Sequence, residues 1–489
     1  MRLFFLFALI LGALFSSAQT LTGKITDPTG NSVPFASIYI KGSTKGTSAN
    51  NEGEYQLKLD QGKHEVIYSA IGYKQEVRHV TITGDQLLNV SLTPDVFTLK
   101  DVIVRSEGED PAYEIIRNAI SKRRLHLNEV DAYTAQVYIK GLQRLLEAPK
   151  KFLGKDVDKM TKSMGLDSNR QGILYLSESQ SRLSYLRPDN YREEMISSKV
   201  SGSNRAFSFN RATDLKVNFY ENISNWEGLT SRPLISPIAD NALFYYRYIL
   251  LGTTVIDGQL VNKIQLIPRR NTDPVFRGTI YILEDSWRIH SVDLSLTKDA
   301  GINFVDNIKI SQTFYPVAGD KWMPASVKFD FIGGLFGFRF GGYYIAVYSD
   351  YDLSPTITKK EFAETLRITA DVNKKDTTYW NDIRPIPLTA EEELDYQKKQ
   401  ALAMKRESRP YLDSLDRENN KFKVVPFLIG SGYTHRNRYK KEYLSFSSVL
   451  NSVFYNTVEG WGANYTAAFS RQIDSLNNRY FRIAGTARY

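Results

Sequence analysis

The stretch that decides the fold class is residues 276–296, which read FRGTIYILEDSWRIHSVDLSL. Two runs rich in β-branched and aromatic residues, Phe276–Leu283 and Trp287–Leu296, flank the polar residues Glu284, Asp285 and Ser286. Such runs on either side of a short polar turn are typical of an antiparallel hairpin. The middle of the chain is therefore expected to be β-structure.

This hairpin lies in a strand-rich region, residues 131–356, which we expect to be one domain of long antiparallel strands. Polar turn sequences at 188–190, 271–274 and 318–320 separate the predicted strands. The further strands are expected at 173–176, 182–186, 262–268, 304–315 and 325–331. Residues 148–172 are rich in Lys, Met and Gly and are expected to be a helical or mobile insertion.

Residues 19–94, on the N-terminal side, contain short strands with regular turn signals, which indicate a small β-sandwich. Residues 95–130 are expected to be a linker and an amphipathic helix. Asp110 is placed to cap that helix and Pro111 to begin it. Its predicted apolar face carries Ile116, Ala119, Ile120 and Leu127.

Residues 357–420 are expected to form a helical connector, because Thr389 and Glu392 have capping-box spacing. The apolar stripe of this helix is thin, so it is expected to be mostly solvated. From Tyr443 onward the sequence alternates with period two, which favours assigning residues 421–489 to the first strands of a transmembrane β-barrel over an ordinary half-buried sheet. The side chains expected to face lipid are Trp461, Tyr465, Phe469, Phe481, Ile483 and Tyr489.

A single-chain barrel needs at least about eight strands, and residues 421–489 supply only three or four. Either the chain is a fragment of a longer protein or several chains share one barrel. Met1 and Arg2, the apolar run to Phe15 and the small residues ending at Ala18 indicate a secretory signal peptide, residues 1–18, rather than a membrane anchor. The expected location is the outer membrane, with the N-terminal domains in the periplasm.

The composition excludes several kinds of chemistry. The 489 residues contain no cysteine, so disulfides, thiolate nucleophiles and cysteine-held metals are impossible. The net charge of +9 is spread along the chain, which favours outer-membrane lipid as a partner over nucleic acid. Tyr 30 and Phe 26 make the chain aromatic-rich, as sheets and lipid-facing proteins are.

Catalytic signatures are missing. The sequence has no phosphate loop, no zinc-protease motif and no nucleophile elbow, and His126, His290 and His435 stand alone. We therefore predict no catalytic residues, no cofactor and no metal. Phe331–Tyr344 is glycine-rich and aromatic, and it fits either a membrane-touching hairpin, with Phe336, Phe338, Phe340 and Tyr343 at the interface, or a core hairpin.

Residues 20–93 carry Gly23-Lys24-Ile25-Thr26-Asp27, Pro34-Phe35-Ala36 and Ile71-Gly72-Tyr73, which resemble the carboxypeptidase-regulatory-like domain of Bacteroidetes envelope proteins. That resemblance implies a non-catalytic, prealbumin-like sandwich. Leu99–Val104 resembles the segment that joins this sandwich to the plug of TonB-dependent receptors. The phrases Asp110–Arg117 and Tyr379–Glu392 resemble instead a Bacteroidetes family of unknown function, of DUF5686 type, in which this sandwich precedes a β-rich domain and a C-terminal outer-membrane barrel. The same likeness implies that the chain is truncated within the barrel.

The run from Phe276 to Pro324 also resembles the curved half-barrel sheet of envelope lipoprotein carriers. The fold class is therefore expected to be mainly β, and the function that of a non-enzymatic outer-membrane protein acting in envelope assembly or binding. The alternatives are a lipid or hydrophobic-ligand carrier acting through the middle sheet and a TonB-dependent transporter-like receptor. A carboxypeptidase or other hydrolase is a further alternative, and we expect assays of peptide and ester hydrolysis to show no activity. Other envelope proteins are possible partners of the sandwich.

Overall fold

The structure is a computed structural model that describes residues 19–95, 109–202, 210–226, 228–256, 258–474 and 479–489. The expected signal peptide and the Leu99–Val104 phrase lie outside these residues. The chain divides into two compact units, Met1–Gln397 and Lys398–Tyr489. The described part of the chain contains no helix long and apolar enough to cross a bilayer.

The N-terminal domain is a sandwich of two four-stranded sheets. One sheet has the order β4-β1-β7, with β8 also paired to β1, and the other has the order β3-β2-β5-β6. Apolar side chains that alternate along the strands, such as Leu21, Ile38 and Val66, form a separate core between the sheets. The strands are β1 (Gln19–Thr26), β2 (Ser37–Ile40), β3 (Gly46–Ser48), β4 (Glu54–Leu59), β5 (Gly62–Ser69), β6 (Glu76–Ile82), β7 (Gln86–Leu87) and β8 (Val90–Ser91).

The middle domain is built on one eleven-stranded sheet with the order β16-β17-β18-β19-β20-β21-β22-β9-β12-β13-β23. All neighbours in it are antiparallel except β13 and β23. The meander predicted from the sequence is therefore confirmed, and the two runs expected within 173–186 are one long strand. The strands are β9 (Ala132–Glu147), β12 (Gly172–Leu186), β13 (Asn190–Gly202), β16 (Tyr246–Ile256), β17 (Gln259–Pro268), β18 (Arg277–Leu283), β19 (Ile289–Thr297), β20 (Asn307–Ala318), β21 (Lys321–Leu335), β22 (Phe338–Asp352) and β23 (Leu366–Ile368).

The two faces of this sheet have different partners. The inner face, which carries residues such as Val137, Ile280 and Val292, shares one core with a helix and with residues 212–242. The outer face carries Tyr138 and Tyr343 and packs against residues 379–396 and Phe35. Both faces are therefore covered.

The helix on the inner face, α1 (Ala112–Leu127), is the one predicted from the sequence. The Asp110 carboxylate accepts a hydrogen bond from the Ala112 amide at 2.9 Å, as expected of a capping residue. Ile116 and Ala119 are fully buried in the shared core.

Residues 148–172 contain an ordered hairpin and a short helix instead of a wholly helical or mobile insertion. The hairpin consists of β10 (Lys151–Phe152) and β11 (Lys155–Asp156), and the helix is α2 (Asp158–Ser163). The later segment that covers the inner face includes the short pair β14 (Ile223–Ser224) and β15 (Leu234–Ile235) and the helix α3 (Ala242–Tyr245).

The connector contains α4 (Thr377–Ile383) and α5 (Ala390–Glu407), followed by α6 (Arg409–Asn419). The capping box is present, because Glu392 accepts from the Thr389 amide at 2.8 Å and donates its own amide to the Thr389 hydroxyl at 3.3 Å. The expectation of a mostly solvated helix fails in its first turn, where Glu392 is only 2% exposed. This turn lies on the outer face of the sheet.

The second unit contains five strands, with β27 pairing to β25, β26 and β28. Its helices are α7 (Val424–Ile429) and α8 (Val449–Ser452). Its strands are β24 (Tyr433–Asn437), β25 (Glu442–Phe446), β26 (Val453–Asn456), β27 (Gly460–Asp474) and β28 (Arg479–Arg488).

Candidate binding cavity

A cavity of about 130 Å³ lies on the inner face of the middle sheet, beside the C-terminal end of α1. Strands β9, β12, β13, β20, β21 and β22, residues 212–220 and Arg288 form its other walls. It therefore lies where the sheet, the helix and the covering segment meet.

Seven of the 22 wall residues are Tyr, Phe or Trp. The Tyr133 and Tyr185 rings stack with centroids 5.1 Å apart, and Tyr185 lies 4.9 Å from Tyr191. Burial raises the pKa of Tyr133, Tyr191 and Tyr348, so these phenols stay neutral. Further apolar wall residues include Phe314, Trp322, Met323 and Val327.

His126 supplies the first polar group of the wall. Its Nε2 lies 2.9 Å from the Ser286 carbonyl oxygen, so Nε2 carries the proton and donates. Burial, and then the nearby charge of Arg288, lowers the pKa of His126, which keeps the ring neutral. Nδ1 is therefore a buried acceptor, and it has no hydrogen-bond partner among the described residues.

Gln312 and Arg288 supply two more unpaired atoms. The Gln312 amide nitrogen donates to the Val217 carbonyl at 3.2 Å, whereas its Oε1 has no partner within the described ranges. Arg288 makes two hydrogen bonds to Glu129, at 2.5 and 2.8 Å, but its Nε is also unpaired among those residues. A buried polar atom without a partner costs free energy, and the three atoms belong to residues that line the cavity.

A second, more polar cavity of about 500 Å³ shares the walls Thr213, Lys216 and Asn218 with the first. Arg211 and Asp214 lie in it together with Trp226 and Phe329. Lys216 lies at the shared wall, with its Nζ 2.8 Å from Asp189 and 4.2 Å from the Tyr191 ring centroid. The first cavity, with its mainly apolar wall, thus adjoins a second cavity lined by charged side chains.

The two cavities have the features of a binding site, and we find no catalytic constellation in them. The described residues hold no cluster of three or more His, Asp or Glu side chains that could ligate a metal. The neutral His126 donates to a backbone carbonyl, so it does not pair with a serine or a carboxylate as in a triad.

The side chains expected to face lipid in the second unit lie on one face of the β27–β28 pair. Phe469 is directly opposite Ile483, and Arg471 is opposite Phe481. Ala463 exchanges two backbone hydrogen bonds with Tyr489, at 2.8 and 2.9 Å. Trp461 and Tyr465 belong to the same face because side chains alternate along β27. Trp461, Phe481, Ile483 and Tyr489 are exposed.

The four residues expected at an interface hairpin differ in their exposure to solvent. Phe336 and Phe338 lie at the turn between β21 and β22, and Phe336 is 74% exposed. Phe340 is half-buried against the inner core. Tyr343 is buried on the outer face, where its hydroxyl donates to Glu392 at 2.9 Å. Only the tip of this hairpin is therefore at the surface.

Sequence reasoning missed the cavity and also a buried ionic network on the outer face. In that network Lys140 is fully buried and its Nζ lies 2.6 Å from Glu392, while Arg384 makes two hydrogen bonds to Glu178, at 2.5 and 3.0 Å. The phrase Tyr379–Glu392 was the available signal, since it contains two of these four residues. Its partners are more than 200 positions away in the sequence.

Comparison with known families gives three matches. The family of unknown function DUF5686 matches residues 115–351, and its C-terminal domain matches residues 426–489. The carboxypeptidase-regulatory-like domain matches residues 21–104. The architecture expected from the sequence phrases is therefore confirmed at the level of family membership.

Curated relatives match only a short part of the chain. The TonB-dependent receptor SusC of Bacteroides thetaiotaomicron is 33% identical over 95 residues, which are 19% of this chain and 9% of the receptor. A TonB-dependent receptor of Formosa agariphila is 32% identical over 117 residues, 22% of this chain and 11% of that receptor. The matched part of the chain thus spans about a tenth of the length of these receptors.

Solved structures with some likeness include an outer-membrane lipoprotein-sorting protein domain from Vibrio parahaemolyticus, at 11% identity and a TM-score of 0.25, covering 50% of this chain and 94% of that one. A LolA superfamily protein from Nitrosomonas europaea is 13% identical, with a TM-score of 0.20 and coverage of 51% and 96%. TM-scores this low carry no argument about function.

Proposed function

The chain belongs to the family of unknown function DUF5686, and from its own geometry we propose that it is a non-enzymatic outer-membrane protein whose middle sheet binds a small amphipathic molecule. The observation that carries this proposal is the cavity lined by aromatic side chains and by His126, Arg288 and Gln312, each of which has one buried polar atom without a partner among the described residues. Aromatic walls with few convergent polar groups are typical of ligand sites.

The size of the cavity limits its occupant. A cavity of about 150 Å³ holds one benzene molecule, so the 130 Å³ here suits a ring or the end of a chain rather than a whole lipid. The neighbouring cavity is lined by Arg211 and Lys216 and also by Asp214 and Glu221, so it suits a polar group. In the lipid-carrier alternative, the cavity would therefore hold only one end of an amphipathic molecule.

The membrane part of the proposal is supported by the second unit. Apolar side chains share one face of β27 and β28, as lipid-facing residues of a transmembrane barrel do. A TonB-dependent transporter has less support, because the likeness to those receptors is limited to the N-terminal domain. An accessory domain does not bring the activity of the whole receptor with it.

The ligand proposal is tested with the full chain, purified in detergent from outer membranes. Its bound small molecules are extracted and identified by mass spectrometry, and compared with those of Val327→Phe, which fills the cavity. Val292→Phe is the control, because Val292 is equally buried on the inner face but is not a wall residue. We expect a species present in wild type and control and lost from Val327→Phe. Identical extracts from all three proteins would contradict the proposal.

The membrane proposal is tested by cell fractionation and by electrophoresis with and without heating. We expect recovery in the outer membrane and a heat-dependent change in mobility, as barrels give. A protein found in the soluble periplasm would contradict it.

A further inference from the structure

Two hairpin turns at one end of the middle sheet share the same backbone conformation. Leu153-Gly154 joins β10 to β11, and Phe336-Gly337 joins β21 to β22. All four residues have positive φ, at 48° and 77° in the first turn and 51° and 83° in the second. Positive φ at both central residues is the pattern of a type I′ turn.

Large apolar side chains are out of place in the first position of such turns. A side chain on a left-handed backbone crowds the neighbouring carbonyl, so Asn, Asp or Gly normally fill this position. Here Leu153 is 85% exposed and Phe336 is 74% exposed. Neither side chain stabilises its turn or packs in the core, so the stability of the fold does not explain why Leu and Phe occupy these positions.

The two turns form one apolar protrusion. The Phe152 ring centroid lies 6.3 Å from that of Phe336 and 5.4 Å from that of Phe338. Gly337 lies beside Pro149, whose side chain would be 3.7 Å from a Cβ at Gly337. We call Phe152, Leu153, Phe336 and Phe338 the paired tips.

The segment that carries the Leu153 turn has an excess of positive charge. Residues 148–165 contain five lysines and two aspartates. Lys151 and Lys155 are exposed on either side of the Leu153 turn. Exposed apolar side chains next to lysines suit the surface of an anionic bilayer. The apolar side chains can enter the boundary of the acyl chains, while the lysine ammonium groups contact the lipid phosphates.

We propose that the paired tips insert into the surface of an anionic lipid bilayer. This contact is separate from the cavity, which lies near the opposite ends of β9 and β12, at Tyr133 and Tyr185. The paired tips belong to the first unit alone, so this contact is tested independently of the membrane contact proposed for the second unit.

The test uses the full chain with single cysteines, since the natural sequence has none. Leu153→Cys and Phe336→Cys are labelled with an environment-sensitive dye and reconstituted into vesicles of phosphatidylglycerol and phosphatidylcholine that contain spin-labelled lipid. Val255→Cys is the control, because Val255 is 64% exposed at the opposite end of the sheet. We expect a blue shift and loss of emission at 153 and 336 and no change at 255.

Unquenched tip dyes on protein that floats with the vesicles would overturn the proposal, and so would protein that does not float. Equal quenching at 255 would overturn it as well. A blue shift that depends on protein concentration without vesicles would assign the tips to a second copy of the chain instead. The outer-membrane assignment is judged separately, by cell fractionation. Lys151→Glu with Lys155→Glu should weaken the quenching, and unchanged quenching would contradict the role of charge.

Discussion

At the scale of single residues, Phe336 shows how a side chain can work against its own backbone. Phe336→Asn would create the Asn-Gly pair that type I′ turns prefer, and it would remove an exposed ring. We expect the free energy of unfolding to rise by roughly 0.5–1 kcal/mol, measured by urea denaturation. Phe338→Asn is the control, because Phe338 lies in a strand where Asn is unfavourable. A Phe336→Asn protein no more stable than wild type would mean that the turn stores no strain.

Glu178 makes a second prediction at this scale. Burial alone would raise its pKa, but the two hydrogen bonds and the charge of Arg384 outweigh burial, so the pKa is lowered from 4.5. Because the pKa of Glu178 is lower in the folded than in the unfolded protein, its ionised carboxylate stabilises the fold at pH values above the unfolded-state pKa. This contribution is lost as the pH falls through the folded-state pKa. We expect the denaturation midpoint of wild type to fall with acid more steeply than that of Glu178→Gln. Parallel profiles from about pH 6 to about pH 3 would contradict this.

At the scale of elements, the connector depends on the buried pair of Lys140 and Glu392. Lys140→Met leaves the Glu392 carboxylate buried without its cation, so we expect a loss of about 3–5 kcal/mol in unfolding free energy. Adding Glu392→Gln should recover part of that loss. Arg144→Met is a matched control, since Arg144 pairs with the neighbouring Glu391 in an exposed position, where such pairs contribute under about 1 kcal/mol.

The readouts for this prediction are denaturant unfolding and the rate of proteolysis between α4 and α5. Equal losses from Lys140→Met and Arg144→Met would show that the connector does not depend on the buried pair.

Elements were predicted from the sequence where local patterns determine them. Period-two runs gave the strands of the meander, and Asp110 and the Thr389–Glu392 spacing gave helix starts, because each depends on residues a few positions apart. The cavity and the ionic network could not be found in this way. His126 and Gln312 line the same cavity only after the sheet has formed. Lys140 forms its hydrogen bond with Glu392 across 252 positions of the sequence.

At the scale of the whole molecule, the sandwich and the middle sheet are packed together within one compact unit. Phe35, at a φ of 56°, extends from the sandwich to the outer face of the sheet, where its ring lies 5.0 Å from that of Tyr343. Lys328 Nζ lies 3.7 Å from the Phe35 ring centroid, and burial lowers the pKa of Lys328. The Ser37 hydroxyl lies 3.1 Å from that of Thr313. These contacts couple the sandwich to the sheet.

If this coupling is strong, the sandwich and the middle domain should unfold together, and one calorimetric transition should account for both in wild type. Phe35→Lys places a second positive charge beside the partly buried Lys328, so we expect that transition to split, with the sandwich melting separately. Leu87→Lys is the control, since Leu87 is on the sandwich but is 74% exposed, and it should leave the single transition intact. Two transitions already present in wild type would mean that the sandwich is an independent domain, whose contact with the sheet does not contribute to the stability of either.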